Sequence, residues 1–324
     1  MDSLTPLEQQ TERTSELFRQ GYAAGSAFPK PKHNRMTVCG MGGSILGAEL
    51  FQTFAARALP DLDVVTWQTY GLPPKHAQSD TYCISYSGNT EETLSAFRTA
   101  CAGRGRPACL AHTGMLAAQA KKMHAPFQML PDTVVPRLVA PFVFGFFVGL
   151  YCHDMGTKRG VARLSSDIDR ANASMRPQAI KLAKKQILLY TPVSSLSLAH
   201  LWEIHLNETA GLLAFGDDIP DIDHHTLAAL KNASGRSAFH ALFLINGTES
   251  KRMQKRIALT QYTFKRLGIA YSPVAIASRS TIASLLAHAR LASMTAIAIA
   301  RKTRFNPFTN TIQATFKKKL RGRP

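Results

Sequence analysis

Two short segments of this chain carry residue types that can hold an anion. The first is Cys39-Gly40-Met41-Gly42-Gly43-Ser44, lying between an apolar run and a helical pattern. Glycines let a backbone approach a ligand closely, and the free amides of a following helix face an anion with the favourable end of its dipole. A tight strand-to-helix turn would use the same residues. Nucleotide fingerprints are incomplete here, because the later glycine is displaced to Gly47 and no Walker lysine follows. The second segment, Ser85-Tyr86-Ser87-Gly88-Asn89-Thr90-Glu91-Glu92-Thr93, says more. Ser85, Ser87 and Thr90 can each donate to a phosphate oxygen, while Gly88 and the helix amides add donors that need no lysine. A helix cap would account for Thr90 alone and leave the cluster unexplained.

Those two segments need a scaffold that ends strands and begins helices side by side. Short apolar runs at Met36–Cys39, Val64–Trp67, Tyr82–Tyr86, Pro107–Ala111 and Phe127–Leu130 alternate with helical patterns, the rhythm of a parallel sheet. Leu46, Leu50 and Phe54 form a stripe after the first run, and Leu94, Phe97 and Cys101 form one after the third, so right-handed βαβ crossovers are expected. A polar, basic stretch from His153 to Lys185 has the composition of a connection. Beyond it, strands are expected at Ile187–Ser194, Leu213–Phe215, Ala241–Ile245 and Tyr271–Ile276. Helices are expected at Leu196–Ala210, Lys251–Leu267 and Ser280–Ala300. The fold class is therefore α/β with two doubly wound units. The expected division is residues 1–155, a connecting segment 156–185, and residues 186–324. Their similar size points to a structural duplication, although no sequence repeat accompanies it.

Composition narrows the classes. Of 324 residues 45% are hydrophobic and 19% charged, which argues for folded domains and against overall disorder. There are 39 Lys and Arg against 21 Asp and Glu, a formal +18, so the company is expected to be anionic. Cys39, Cys83, Cys101, Cys109 and Cys152 are odd in number and form no CxxC pair, which suits a reduced cytoplasm. No basic region followed by an apolar core opens the chain, so a signal peptide is not expected. The apolar run Leu138–Cys152 is shorter than the ~20 residues of a span and contains Pro141, so it reads as a buried helix, with no membrane partner. The basic end from Phe316 to Arg323 reads as a solvated tail, Lys317 excepted.

Together, Gly-Met-Gly-Gly-Ser and Ser-Tyr-Ser-Gly-Asn-Thr-Glu-Glu-Thr resemble the bifunctional phosphoglucose/phosphomannose isomerase family, built from two sugar isomerase (SIS) domains. That resemblance implies SIS-type folds and a phosphate site at Gly43, Ser44, Ser85, Tyr86, Ser87 and Thr90. It continues down the chain. Pro136-Arg137 precedes the apolar helix as in the family, placing Arg137 at the reacting carbons. Trp202 to Phe215 is similar to the segment bearing the family's catalytic glutamate, which falls on Glu208. Sixteen residues later His224 falls on the family's histidine, after Ile219-Pro220. Asn306-Pro307, Ile312 and Phe316-Lys317 are similar to the closing pattern, which places the active-site lysine at Lys317. Departures accompany these matches: His225-Thr226 stands for Asn-Glu, His205 for a glutamine, Asp223 for an asparagine, Ser293 for an aspartate, and Thr113-Gly114 for a glycine pair.

The resemblance implies reversible isomerisation of glucose 6-phosphate or mannose 6-phosphate to fructose 6-phosphate through an enediol. Such chemistry needs one base near carbons 1 and 2 and donors for the enediolate oxygens. Glu208, before Gly211, stands where the helix dipole and partial burial favour proton exchange near neutrality, although a solvated helix-end glutamate would look the same. His224 and Lys317 are suited to opening the cyclic sugar. A metal role for His224 in its acidic loop lacks a second ligand spacing, so neither metal nor cofactor is expected. The family's dimers imply a homodimer with His224 donated across the interface. Two alternatives stay open, a non-catalytic sugar-phosphate sensor and an isomerase of another phosphosugar. Nucleic acid is not expected as a partner, since the basic residues are dispersed and no nucleic-acid-binding motif occurs.

Overall fold

The computed structural model describes residues 3–74, 76–103, 107–152, 181–232, 235–276, 278, 280–309 and 311–321. Most of the expected connection, residues 156–180, lies outside them. Helices α1 (Thr5–Glu12) and α2 (Thr14–Ala27) lead into β1 (Arg35–Gly40), α3 (Leu46–Ala58), β2 (Asp63–Trp67), β3 (Asp80–Ser85) and α4 (Glu91–Ala102). There follow β4 (Ala108–Ala111), α5 (Gly114–Lys122), β5 (Phe127–Met129) and α6 (Ala140–Tyr151). The second half runs β6 (Gln186–Pro192), α7 (Leu196–His205), β7 (Ala214–Ile219), α8 (Thr226–Asn232), β8 (Phe239–Ile245), α9 (Lys251–Arg266) and β9 (Ala270–Ala275). Helices α10 (Thr281–Thr303) and α11 (Thr311–Arg321) close the described chain.

Both sheets are parallel throughout, in the orders β2-β1-β3-β4-β5 and β7-β6-β8-β9. The two orders follow one scheme, the topological counterpart of the expected duplication. In each, the order reverses beside the first strand, and the crevice beyond the carboxyl ends of the two diverging strands is where open α/β sheets bind ligands. For the first sheet that crevice lies between β1 and β3, the strands that feed the two segments expected to hold an anion. At the corresponding position of the second sheet the Asn246 side chain bonds to Ser195 and to Thr248, and the Asn246 backbone N–H donates to Glu249.

Alternate residues of each strand enter different cores, as a sheet covered on both faces requires. Met36, Val38, Tyr82 and Ile84 face one cluster, while Cys39, Cys83 and Cys109 face another beneath α4 and α5. The first cluster does not stop at one sheet. It continues through α3, α6, α7 and α10 to Ile187, Leu189, Leu242 and Leu244 of the second sheet. A single helical layer thus serves both sheets. Within it α2 and α6 approach closely along Gly21, Gly25, Gly145 and Gly149, where an added Cβ would meet backbone oxygen at 2.1 Å or less.

Two expectations change. The strand expected at Leu213–Phe215 extends to Ile219; Asp217 and Asp218 masked it, because an edge strand can carry charges that a central one cannot. The helix expected to run from Leu196 to Ala210 ends at His205 and gives way to a wider, π-type turn over Leu206–Ala210. Helix α6 is buried as expected, but it is not the only apolar helix. By length and composition α10 could cross a membrane, yet 83% of its apolar window is buried inside the protein.

Candidate functional site

The turn after β1 packs its backbone against the start of the Pro136–Val139 segment. A Cβ on Gly43 would lie 2.7 Å from the Arg137 Cα and N, so only glycine allows the two chains this approach. Ser44 then accepts a hydrogen bond from the amide of Tyr86 at 3.1 Å, joining the turn after β1 to the turn after β3. Gly88 has φ of +65°, and a Cβ there would sit 1.8 Å from the Thr113 carbonyl oxygen. The turn is held from outside as well. Asn89 Oδ1 accepts from the amide of Met115, and the Tyr86 ring stacks on His112 with centroids 5.1 Å apart while its hydroxyl accepts from the Thr133 amide at 2.7 Å.

Thr90 occupies the residue before α4, but its hydroxyl does not cap the helix. It bonds instead to Ser85 Oγ at 2.9 Å. Side-chain capping from Thr90 therefore does not consume the amides at the head of α4. Ser85 itself is buried and stands behind the cleft, whereas Ser44, Ser87 and Thr90 line it.

Opposite these turns, Arg137 is 4% exposed at its side chain. Its Nη1 donates to Glu208 Oε2 at 2.7 Å and its Nε to Thr209 Oγ1 at 2.8 Å. Burial lowers the guanidinium from its ordinary value, and the charge and hydrogen bond of Glu208 oppose that shift. The π-type turn is what aims Glu208 and Thr209 together at the arginine, since it gathers successive residues of one turn before the chain reverses at Gly211. Glu208 remains 35% exposed towards the cleft.

The cleft has a volume of about 510 Å³. Gly43, Ser44, Tyr86, Ser87, Thr90, Arg137, Glu208 and Lys317 all line it. Of the site residues singled out in the sequence, Ser85 and His224 are absent from that wall. His224 follows the Asp221–Asp223 turn beyond β7 on the exposed surface. Thr209 and Gln313 stand out in no sequence motif, and Phe316 enters the closing pattern only as the neighbour of Lys317. Thr209 adjoins Glu208 but carries no motif of its own, and Phe316 and Gln313 are recognisable only once α11 is seen to lie along the cleft.

Residues 175–320 match the model of the bacterial phospho-glucose isomerase C-terminal SIS domain. The bifunctional phosphoglucose/phosphomannose isomerase of Aquifex aeolicus is 29% identical over 240 residues, covering 71% of this chain and 73% of that protein. Its counterpart from Thermoplasma volcanium is 24% identical over 263 residues, 80% of this chain and 82% of that one. The chain is a divergent relative of these isomerases. Its fold is also that of glucosamine-6-phosphate deaminase from Thermotoga maritima, with a TM-score of 0.66 at 12% identity over 95% of this chain and 96% of that one. The α/β architecture expected from the strand rhythm and the SIS resemblance are therefore both borne out.

Proposed function

We propose that this chain is an aldose-ketose isomerase that interconverts glucose 6-phosphate or mannose 6-phosphate with fructose 6-phosphate through an enediol. One observation carries the reading: the phosphate-type turns of the first sheet and the Arg137–Glu208 pair share a single cleft with Lys317. The phosphate is received by the hydroxyls of Ser44, Ser87 and Thr90 and by the amides at the head of α4, with Ser85 orienting Thr90 and Tyr86 and Gly43 shaping the wall. Glu208 removes the proton from carbon 2 and returns it to carbon 1. Arg137 holds that carboxylate and stabilises the negative charge that develops on the enediolate oxygen.

Ring opening is assigned to Lys317 and His224. Because His224 lies outside this chain's cleft, the reading has it complete the site of a second copy in a homodimer. Residues 1–155 and 186–324 are taken as the two SIS-type halves of a cytoplasmic protein, with hexose 6-phosphate as partner and no step assigned to a metal or cofactor.

The experiment is a coupled assay with glucose 6-phosphate, mannose 6-phosphate and fructose 6-phosphate in the presence of a chelator. Turnover of fructose 6-phosphate with at least one aldose is expected. Tight binding without turnover would favour the sensor reading, and turnover confined to another phosphosugar would move the substrate assignment.

A further inference from the structure

Behind the cleft, Arg137 meets a second group that the proposed chemistry does not use. Among the described residues, four buried side-chain atoms lack a hydrogen-bond partner, and two of them are Arg137 Nη2 and His205 Nδ1. Arg137 and His205 line the same small cavity. The other polar side chains on its wall are engaged elsewhere: Thr11 with Ser293 at 2.7 Å, Thr14 with the Thr11 carbonyl, and Gln10 with the Asp132 carbonyl and the Val134 amide. The cavity holds about 10 Å³, close to the room one water needs.

We propose that His205 is a positioning residue for Arg137, acting through one internal water that accepts from Nη2 of Arg137 and donates to Nδ1 of His205. The direction of each bond follows from the chemistry. A guanidinium can only donate, so the water must accept from it and has its own protons left to give. Nδ1 of a neutral imidazole with its proton on Nε2 is the acceptor that completes the chain. Neutrality is enforced, since burial, aided by the nearby positive charge of Arg137, lowers His205 to about 3. The guanidinium is then fixed at all three nitrogens, by Thr209, by Glu208 and by this water. That leaves the plane that faces the substrate no freedom to rotate. This inference rests on the proposed isomerase site for its kinetic consequence but not for the water itself.

Two measurements read the linkage without substrate. A high-resolution crystal structure should show an ordered water within hydrogen-bond reach of both Nη2 and Nδ1. Nitrogen-15 histidine spectra should show the His205 Nδ1 unprotonated throughout the neutral range. A dry cavity, a water touching only one of the two atoms, or a proton on Nδ1 overturns the proposal.

Kinetics then test positioning. His205→Gln, whose amide oxygen can accept from the same water, should keep kcat within about threefold. His205→Leu should lose at least about tenfold in kcat while KM moves less than about twofold, the pattern of a misaligned catalytic group. A well-folded His205→Leu protein with wild-type kcat overturns the positioning role. Should that variant fail to fold, the spectra and His205→Gln still decide. Absence of isomerase activity in the wild type would end the functional reading alone.

Discussion

Glu208 has two jobs in this geometry, and Glu208→Gln separates them. As the proposed base it moves a proton, and as the carboxylate beside Arg137 it neutralises a guanidinium only 4% exposed. Removing one member of a fully buried ion pair costs about 3–5 kcal/mol because it strands the other. Here water reaches Glu208, which is 35% exposed, and the glutamine carbonyl can still accept from Nη1. Both reduce the loss, to about 1–2 kcal/mol. At roughly 1.5 °C per kcal/mol for a chain of 324 residues, the melting temperature should fall by about 1.5–3 °C. Turnover should fall at least about a hundredfold, the scale of a missing general base.

The two effects part company in a double variant. Replacing the stranded cation in Glu208→Gln/Arg137→Met should recover melting temperature over Glu208→Gln without recovering turnover. Solvent-tritium exchange at carbon 2 of glucose 6-phosphate is the sharper assay, since it reports the proton transfer itself. Exchange at the wild-type rate in Glu208→Gln would place the base on another residue, and an unchanged melting temperature would deny the pair its structural part.

Ser87→Ala and Thr90→Ala should each raise KM for hexose 6-phosphates more than they lower kcat, at about 1.5–3 kcal/mol per lost charge-assisted bond; unchanged affinity in both would remove the phosphate assignment. His200 Nδ1 lies 2.7 Å from Glu49 Oε2, and although burial pulls that histidine down, the hydrogen bond and charge of Glu49, with Glu203, raise it above 6.5. A raised folded value stabilises fully below the unfolded one and is lost as pH climbs through it, so the melting-temperature advantage over His200→Gln should be largest below about pH 6 and fade under alkaline conditions. An advantage that grows with pH would reverse this. For His224, mixing inactive His224→Ala and Glu208→Gln proteins should restore up to about half of wild-type activity per mixed dimer, and no recovery despite proven subunit exchange would return His224 to its own chain's pocket.

What could be read beforehand was whatever a local pattern encodes. Apolar runs such as Met36–Cys39 announced buried strands because parallel sheets are covered on both faces, and Ser87-Gly88-Asn89-Thr90 announced a donor-rich turn. Charge hid the second half of β7, where Asp217 and Asp218 sit on an edge strand. Pairings between distant segments left no local trace. Nothing near Arg137 foretells that Thr209 will receive its Nε, and nothing near Ser85 foretells that its hydroxyl will turn to Thr90 instead of the cleft.

The cleft depends on how the two sheets are held, because it takes its two glycine turns from one and its carboxylate from the segment that follows the helix beside the other. Glu208 ends the segment that begins with α7, and α7 packs against α3, the helix that follows the Gly42–Ser44 turn. That contact is specific: Thr53 bonds to Ser197 at 2.6 Å, His200 to Glu49, and the apolar cluster runs through both helices. A shift of α7 along α3 would therefore carry Glu208 away from the turns at Gly43 and Gly88 while leaving each sheet intact. Precision in the cleft is set by the shared helical layer, and substitutions at Thr53 or Ser197 should disturb catalysis from outside the cleft wall for that reason.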